Sequence, residues 1–397
     1  MSSHPVTEVL RAFAKLGLTA FGGPIAHLGY FREEFVVRRR WLDEHAFADL
    51  VGLCQFLPGP ASSQVGFALG MLRAGYLGGV AAWLAFTLPS ALLMVALAAA
   101  AHWMQESAGL VVLHGLKLVA VSIVAQAVWG MARSLCPDWP RVLLAAAAAA
   151  LVLRLHTPLA QLLVILLGGA VGLVLRQRMV VPASAHLPLR VSRRSGWIAL
   201  TLFALLLAGL PLLRLLQPMG QVALFEAFYR SGALVFGGGH VVLPLLNEAV
   251  VATGWVGSDE FLAGYGVVQA VPGPLFTFAA WLGASAAPAH DALSGAALGL
   301  IGIFLPGMLL LVGVLPFWQA VRGRAAARGV MAGINAAVVG LLAAALYTPL
   351  WSSAVHGAAD MALAVAGALL LIAWRMPPLL VVVVMVVAAW VLAQAAG

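Results

Sequence analysis

Gln55-Phe56-Leu57-Pro58-Gly59-Pro60 interrupts an apolar run extending from residue 47 to residue 72, and Gln269-Ala270-Val271-Pro272-Gly273-Pro274 interrupts another 214 positions later. Proline removes a backbone N–H and clashes with the preceding turn, so Pro-Gly-Pro cannot continue an α-helix. A second pair of breaks stands upstream: Phe21-Gly22-Gly23-Pro24 and, 215 positions on, Phe236-Gly237-Gly238-Gly239. The likeness extends outward. Phe13, Lys15 and Gly17 match Phe228, Arg230 and Gly232; Trp41 and Phe47 match Trp255 and Phe261; Pro89 matches Pro306 and Gly115 matches Gly333. The chain reads as two homologous repeats, 1–175 and 225–397, with 176–224 as a basic linker plus a joining transmembrane segment.

What surrounds the breaks is membrane-like. Of 397 residues, 63% are hydrophobic and only 9% charged, against about 25% charged in soluble domains. Apolar runs such as Gly78–Ala101, Trp197–Leu213 and Gly295–Pro316 are near the roughly 20 residues that cross a bilayer core. Arg11 and Lys15 inside the first apolar stretch argue against a cleavable signal. The net charge of +8 is scattered through inter-segment loops, which fits membrane orientation and not nucleic-acid binding. Cys54 and Cys136 make neither a disulfide framework nor a metal cluster. The chain has no Ser/His/Asp motif, no His-Glu-x-x-His and no Walker lysine motif, so the expectation is no enzyme activity, no metal and no cofactor.

Each half holds six apolar segments and 196–213 joins them, which makes 13. Matching segments lie seven apart, an odd number, so the halves should face opposite ways. Loop charge agrees. Arg32–Arg40 carries four arginines where its counterpart Pro244–Trp255 carries no Lys or Arg, and 318–329 carries Arg322, Arg324 and Arg328 where 102–113 carries none. Basic loops that swap between halves are what an inverted repeat requires. Plain alternation of all 13 segments would still put Arg32–Arg40 and the basic linker Arg176–Arg194 on opposite sides. The conflict disappears if segments one and two of each half are re-entrant or broken; four kinked spanning helices are the alternative. The expected fold class is therefore an all-α polytopic membrane protein with two inverted-topology repeats and broken or re-entrant helices.

Broken helices expose free N–H groups at half-helix N-termini, where the dipole favours negative charge. Two such breaks from inverted halves can aim at one midplane anion site. Gly22, Gly23, Pro24, Pro58, Gly59, Pro60, Gly237, Gly238, Gly239, Pro272, Gly273 and Pro274 are the candidate backbone of that site. Gln55, Gln269 and Gln64 can donate to an oxyanion or bond between helices. His27 and His240 can donate to an oxyanion, carry protons, or simply pack. Lys117, with its repeat partner Asn335, falls inside an apolar segment, where charge suggests function. Lys15 and Arg230 share that cationic face or snorkel to the interface. Glu34, its partner Glu248, and Asp49 are candidates for proton coupling; most other acids read as solvated loop residues.

These residues carry a resemblance. Phe21-Gly22-Gly23-Pro24 with His27, Gln55-x-x-Pro58-Gly59-Pro60, and their repeats Phe236-Gly237-Gly238-Gly239-His240 and Gln269-x-x-Pro272-Gly273-Pro274 are similar to the chromate ion transporter family, in particular its long two-domain chromate efflux proteins. The likeness runs along nearly the whole chain. It implies secondary, multi-pass export of chromate across a bacterial inner membrane, with chromate resistance. A sulfate-like tetrahedral oxyanion carrier, or an anion channel built from the paired broken helices, is the alternative. Oligomeric state stays open, a homodimer being one form compatible with the sequence; the lipid bilayer is the other partner. Gly239 stands where Pro24 does, and His240 is displaced from the His27 position.

Overall fold

A computed structural model describes residues 5–20, 23–101, 107–155, 158–175, 191–216, 220–236, 241–288, 291–318 and 324–396. Among them every regular element is helical. The first half comprises α1 (Pro5–Thr19), α2 (Gly23–Phe31) continuing into a π-helical stretch (Arg32–Arg38), α3 (Glu44–Phe56), α4 (Ala61–Ala101), α5 (Ser107–Leu135), α6 (Trp139–Leu155) and α7 (Pro158–Val174). After α8 (Arg193–Leu216) the second half repeats the order. It comprises α9 (Gln221–Ala233), α10 (Val242–Leu246) with its own π stretch (Asn247–Val251), α11 (Ser258–Val268), α12 (Phe278–Ala286), α13 (Ala292–Val314), α14 (Ala325–Ala345), α15 (Ala358–Ile372) and α16 (Pro378–Ala396). Even the π stretches recur at matching positions, Arg32 and Asn247 being 215 apart.

The apolar segments at 47–72 and 260–284 are not single helices. Each stops at its Pro-Gly-Pro, α3 at Phe56 and α11 at Val268, and restarts at Ala61 or, through a 3-10 turn, at Leu275. Nor is α4 one continuous 41-residue rod, because Ala74 (φ −144°, ψ 28°) and Gly75 (φ 64°, ψ −159°) leave helical space. Residues 61–73 and 76–101 are limbs of a hairpin: a Cβ on Gly70 would collide with the Gly78 carbonyl and stand 2.7 Å from Ala82 Cβ. In a straight helix residues eight apart are about 12 Å apart along the axis. The second half makes the same reversal between α12 and α13, where Gly283 abuts Gly295.

Compactness divides the chain differently from the repeat. One unit gathers Met1–Val95, Val181–Val242 and Pro272–Arg324; the other gathers Ala96–Val180, Leu243–Val271 and Ala325–Gly397. Each draws on both halves.

In the first unit, four polar residues pin the feet of the re-entrant segments. Glu8, in the first turn of α1, accepts from Arg73 at the end of the first limb of α4 (2.7 and 2.9 Å), from Arg39 (3.3 Å) and from Trp41 Nε1 (3.3 Å). The start of α1, the chain just before α3 and the tip of the α4 hairpin therefore meet at one end of the unit. So α1–α2 and α3 with the first limb of α4 each run inward to a break and come back. The second half has a smaller counterpart, in which Gln221 at the start of α9 donates to Asp291 just before α13 (3.3 Å). Phe13, Phe31, Phe35 and Phe86 are fully or almost fully buried and stack into an aromatic core beneath the first break.

In the second unit, helices from opposite halves clasp each other. α14 lies against α6 and α7, while α5 lies against α15 and α16. The pairs correspond under the repeat, so the two clasps are one arrangement made twice. Small residues allow the approach: Gly333 on α14 faces Gly168 and Gly172 on α7, the close backbone packing that membrane helices use in place of a hydrophobic driving force. Among the described residues five helices are long and apolar enough to cross a bilayer, by length and composition, if the hairpin in α4 is set aside.

Candidate functional site

The breaks of the two halves are tied to each other by backbone hydrogen bonds. Gly59 N–H, in the first Pro-Gly-Pro, donates to the Val235 carbonyl at 2.7 Å; Gly273 N–H, in the second, donates to the Ala20 carbonyl at 2.9 Å. Ala20 and Val235 are 215 apart and each directly precedes the Phe-Gly-Gly break of its own half. The Pro-Gly-Pro elbow of one half therefore bonds the residue that precedes Phe-Gly-Gly in the other, and reciprocally. An N–H left unpaired at membrane depth would cost several kcal/mol, and neither elbow has an intrahelical acceptor at that position.

Each elbow also rests on the long proline-bearing helix of the other half. A Cβ on Gly59 would lie 2.8 Å from Gly307 Cα, and one on Gly273 would lie 2.7 Å from Ser90 Oγ. Gly307 and Ser90 are repeat counterparts, each following its helix's central proline, Pro306 and Pro89. The φ angles of Gly59 (120°) and Gly273 (99°) are ones that L side chains rarely adopt. Gln64 staples the first elbow: its Nε2 donates to the Pro58 carbonyl (3.1 Å) and to the Gly307 carbonyl (2.9 Å). Its amide hydrogens thus serve backbone, not an open site.

The other candidates divide between the units. Gly23 opens α2 with φ 77°, followed by Pro24. His27 is completely buried in α2, with Phe86 edge-on at 5.3 Å and no hydrogen-bond partner on either ring nitrogen. Gln55 is exposed at the end of α3, on which Asp49 is buried. Glu34 is buried in the first π stretch and engaged by Arg39 (2.7 Å), Arg38 (3.8 Å) and Lys15 (3.8 Å). In the second unit, Lys117 on α5 forms an ion pair with Asp259 in the first turn of α11 (2.5 Å). Gln269 Nε2 and Asn335 Oδ1 are both buried without a partner, and Glu248 lies in the second π stretch. Gly22, Gly237, Gly238, Gly239 and His240 lie outside the described residues.

Several contributors are not legible as site residues in the sequence. The carbonyls of Ala20 and Val235 belong to unremarkable residues, and Ser90 and Gly307 are marked only by the prolines before them. The expectation that most remaining acids are solvated loop residues fails at Glu226. It is buried in α9 and pairs with Arg214 on α8 and Arg230 one turn on, both at 2.8 Å. Lys15, Arg230 and Lys117, the cations placed inside apolar segments, each meet a carboxylate. Each cation that suggested a positive face thus has a carboxylate beside it, Glu34 and Glu226 being shared with further arginines.

An all-α polytopic membrane protein with paired, mutually bonded backbone breaks is the class defined by this architecture. Residues 7–173 and 222–391 each match the family described as "Chromate transporter", and the chain belongs to that family. It is 30% identical to a probable chromate transport protein of Synechococcus elongatus, over 87% of this chain and 84% of the relative. It is 28% identical to a chromate transport protein of Pseudomonas aeruginosa, over 86% and 80% of the two chains. An uncharacterized transporter of Methanocaldococcus jannaschii is 26% identical over 85% and 82%. No solved structure matches the chain.

Proposed function

We propose that this protein is a secondary transporter that exports chromate across a bacterial inner membrane and so confers chromate resistance. Membership of the chromate transporter family supports the substrate, as do relatives named chromate transport proteins. The observation that carries the site is the reciprocal bonding of the elbows, Gly59 N–H to the Val235 carbonyl and Gly273 N–H to the Ala20 carbonyl. It joins each elbow to the other half within a single compact unit, the unit that also holds the half-helix starts at Gly23, Ala61 and Leu275. Helix starts offer free N–H groups and the positive end of the dipole, which compensate a dianion that has shed its water. They do so without fixed cations, fitting a carrier that must release its cargo as well as hold it. Lys117→Ala or Gln269→Ala should each lower flux while leaving the protein folded in the membrane.

Flux in everted membrane vesicles tests the proposal. Energised vesicles should accumulate chromate saturably, sulfate should compete, and a protonophore should abolish the gradient-dependent part. Uptake that never saturates and simply follows voltage would replace the carrier with a channel. Absence of chromate movement overturns the reading.

A further inference from the structure

One candidate stands apart from the charged ones. A tetrahedral oxyanion brings two negative charges, while Lys15 shares Glu34 with Arg38 and Arg39, Arg230 shares Glu226 with Arg214, and Lys117 meets Asp259. His27 has no such partner. It is fully buried and neither ring nitrogen is hydrogen-bonded, although a neutral imidazole always carries one N–H. An unmet buried donor costs about 1–3 kcal/mol. The backbone acceptor facing the ring is the Ala20 carbonyl, which also accepts from the Gly273 N–H of the second-half elbow and so has one lone pair left, enough for one ring N–H and not for two. Among the described residues no charged side chain of α1, α2, α4 or that elbow acts on the ring; its neighbours are the Phe86 ring and the Ala20 carbonyl. Packing does not demand a histidine there, because the repeat counterpart 215 positions on is Val242, also fully buried. A second N–H, gained when the ring takes up a proton beside this crossing, has no acceptor among the described residues.

We propose that His27 is the proton-carrying ligand of the site, so that a tetrahedral oxyanion and one proton bind together. The inference rests on the oxyanion site proposed above and gives it a coupling partner. The proton comes from solvent and forms one N–H bond on the imidazole. The resulting imidazolium donates to an anion oxygen, and no electrons are transferred. Bound dianion plus imidazolium carries one negative charge where dianion alone carries two, which lowers the cost of holding it at membrane depth. The site is then asymmetric, with the proton carried by the first half.

Sulfate is the probe, since it remains dianionic across the titration range of histidine whereas chromate itself gains a proton near neutrality. For purified full-length protein, sulfate affinity should fall by up to about tenfold per pH unit between the titration of the free and of the sulfate-bound imidazole. Calorimetry in buffers of different ionisation enthalpy should read about one proton taken up per sulfate bound. His27→Gln keeps a donor but cannot titrate; it should bind with pH-independent affinity and no proton uptake. Wild-type uptake in His27→Gln would overturn the assignment. Should that variant not bind, nitrogen NMR of the wild-type imidazole, assigned by its absence from His27→Gln, reads the same point. A doubly protonated ring on sulfate addition supports the proposal, and a neutral ring overturns it. Sulfate binding without proton uptake by the wild type sinks the coupling while leaving the oxyanion site standing. Failure of the wild type to bind either sulfate or chromate removes the site itself.

Discussion

Gly59 and Gly273 carry more of the architecture than any side chain does. Each takes a positive φ, each lends its N–H to the other half, and each sits too close to a neighbouring helix for a Cβ. The two should nevertheless respond differently to alanine. At Gly59 the obstacle is Gly307 Cα, a backbone atom, so neither partner can yield without moving a helix. At Gly273 it is Ser90 Oγ, a side-chain atom that a rotamer change can withdraw. Gly59→Ala should cost about 1–3 kcal/mol of stability and lower chromate flux by about tenfold or more through misplacement of the elbow. Gly273→Ala should be milder, and adding Ser90→Gly should recover part of its loss. Thermal stability in detergent and vesicle flux check both, and equal losses at the two positions would contradict the asymmetry.

Among the elements, the hairpin in α4 decides how the first half enters the membrane. Residues 61–101 form one helical element, and an unbroken helix of that length would carry the chain from one face to the other. The break at Ala74–Gly75 and the bonds from Arg73 to Glu8 instead return the tip to the foot of α1. Loop charge has the same requirement, because it puts Arg32–Arg40 and the basic linker on one side only if segments one and two turn back. In a variant lacking Cys54 and Cys136, a single cysteine replacing Ala74 should therefore react with an impermeant maleimide from the same side as one replacing Arg40. A cysteine at Gly109, in the first turn of α5, should react from the opposite side. Labelling of positions 74 and 40 from opposite faces would restore the spanning helix.

At the scale of the whole molecule, the two sequence repeats are not the two compact units. α14 of the second half is clasped by α6 and α7 of the first, α5 of the first by α15 and α16 of the second, and each elbow bonds a break in the other half. Neither half can satisfy its own backbone. Residues 1–190 expressed alone should consequently be degraded or aggregate, and so should 191–397. Coexpression of the two should restore a stable complex and chromate flux. Detergent-soluble, monodisperse material from either half alone would show that the exchange is dispensable for folding.

The sequence by itself determined the membrane class, the doubled Pro-Gly-Pro and Phe-Gly-Gly breaks and the repeat that relates them. These are local matters: apolar runs are set by composition, and a proline stops a helix whatever surrounds it. Charge in the loops was enough to ask for re-entrant segments, and the shared foot of Glu8, Arg39, Trp41 and Arg73 meets that request. Partners lay beyond reach. Nothing in the residues around Lys117 announces Asp259, 142 positions away. Burial of Glu226 depends on α8 folding back over α9 to supply Arg214. Which carbonyl receives each elbow N–H, and whether His27 has a partner at all, are settled only when segments some two hundred residues apart are brought together. Backbone breaks are written locally, whereas the satisfaction of a buried donor or charge is a property of the assembled chain, and that is what tertiary structure decided here.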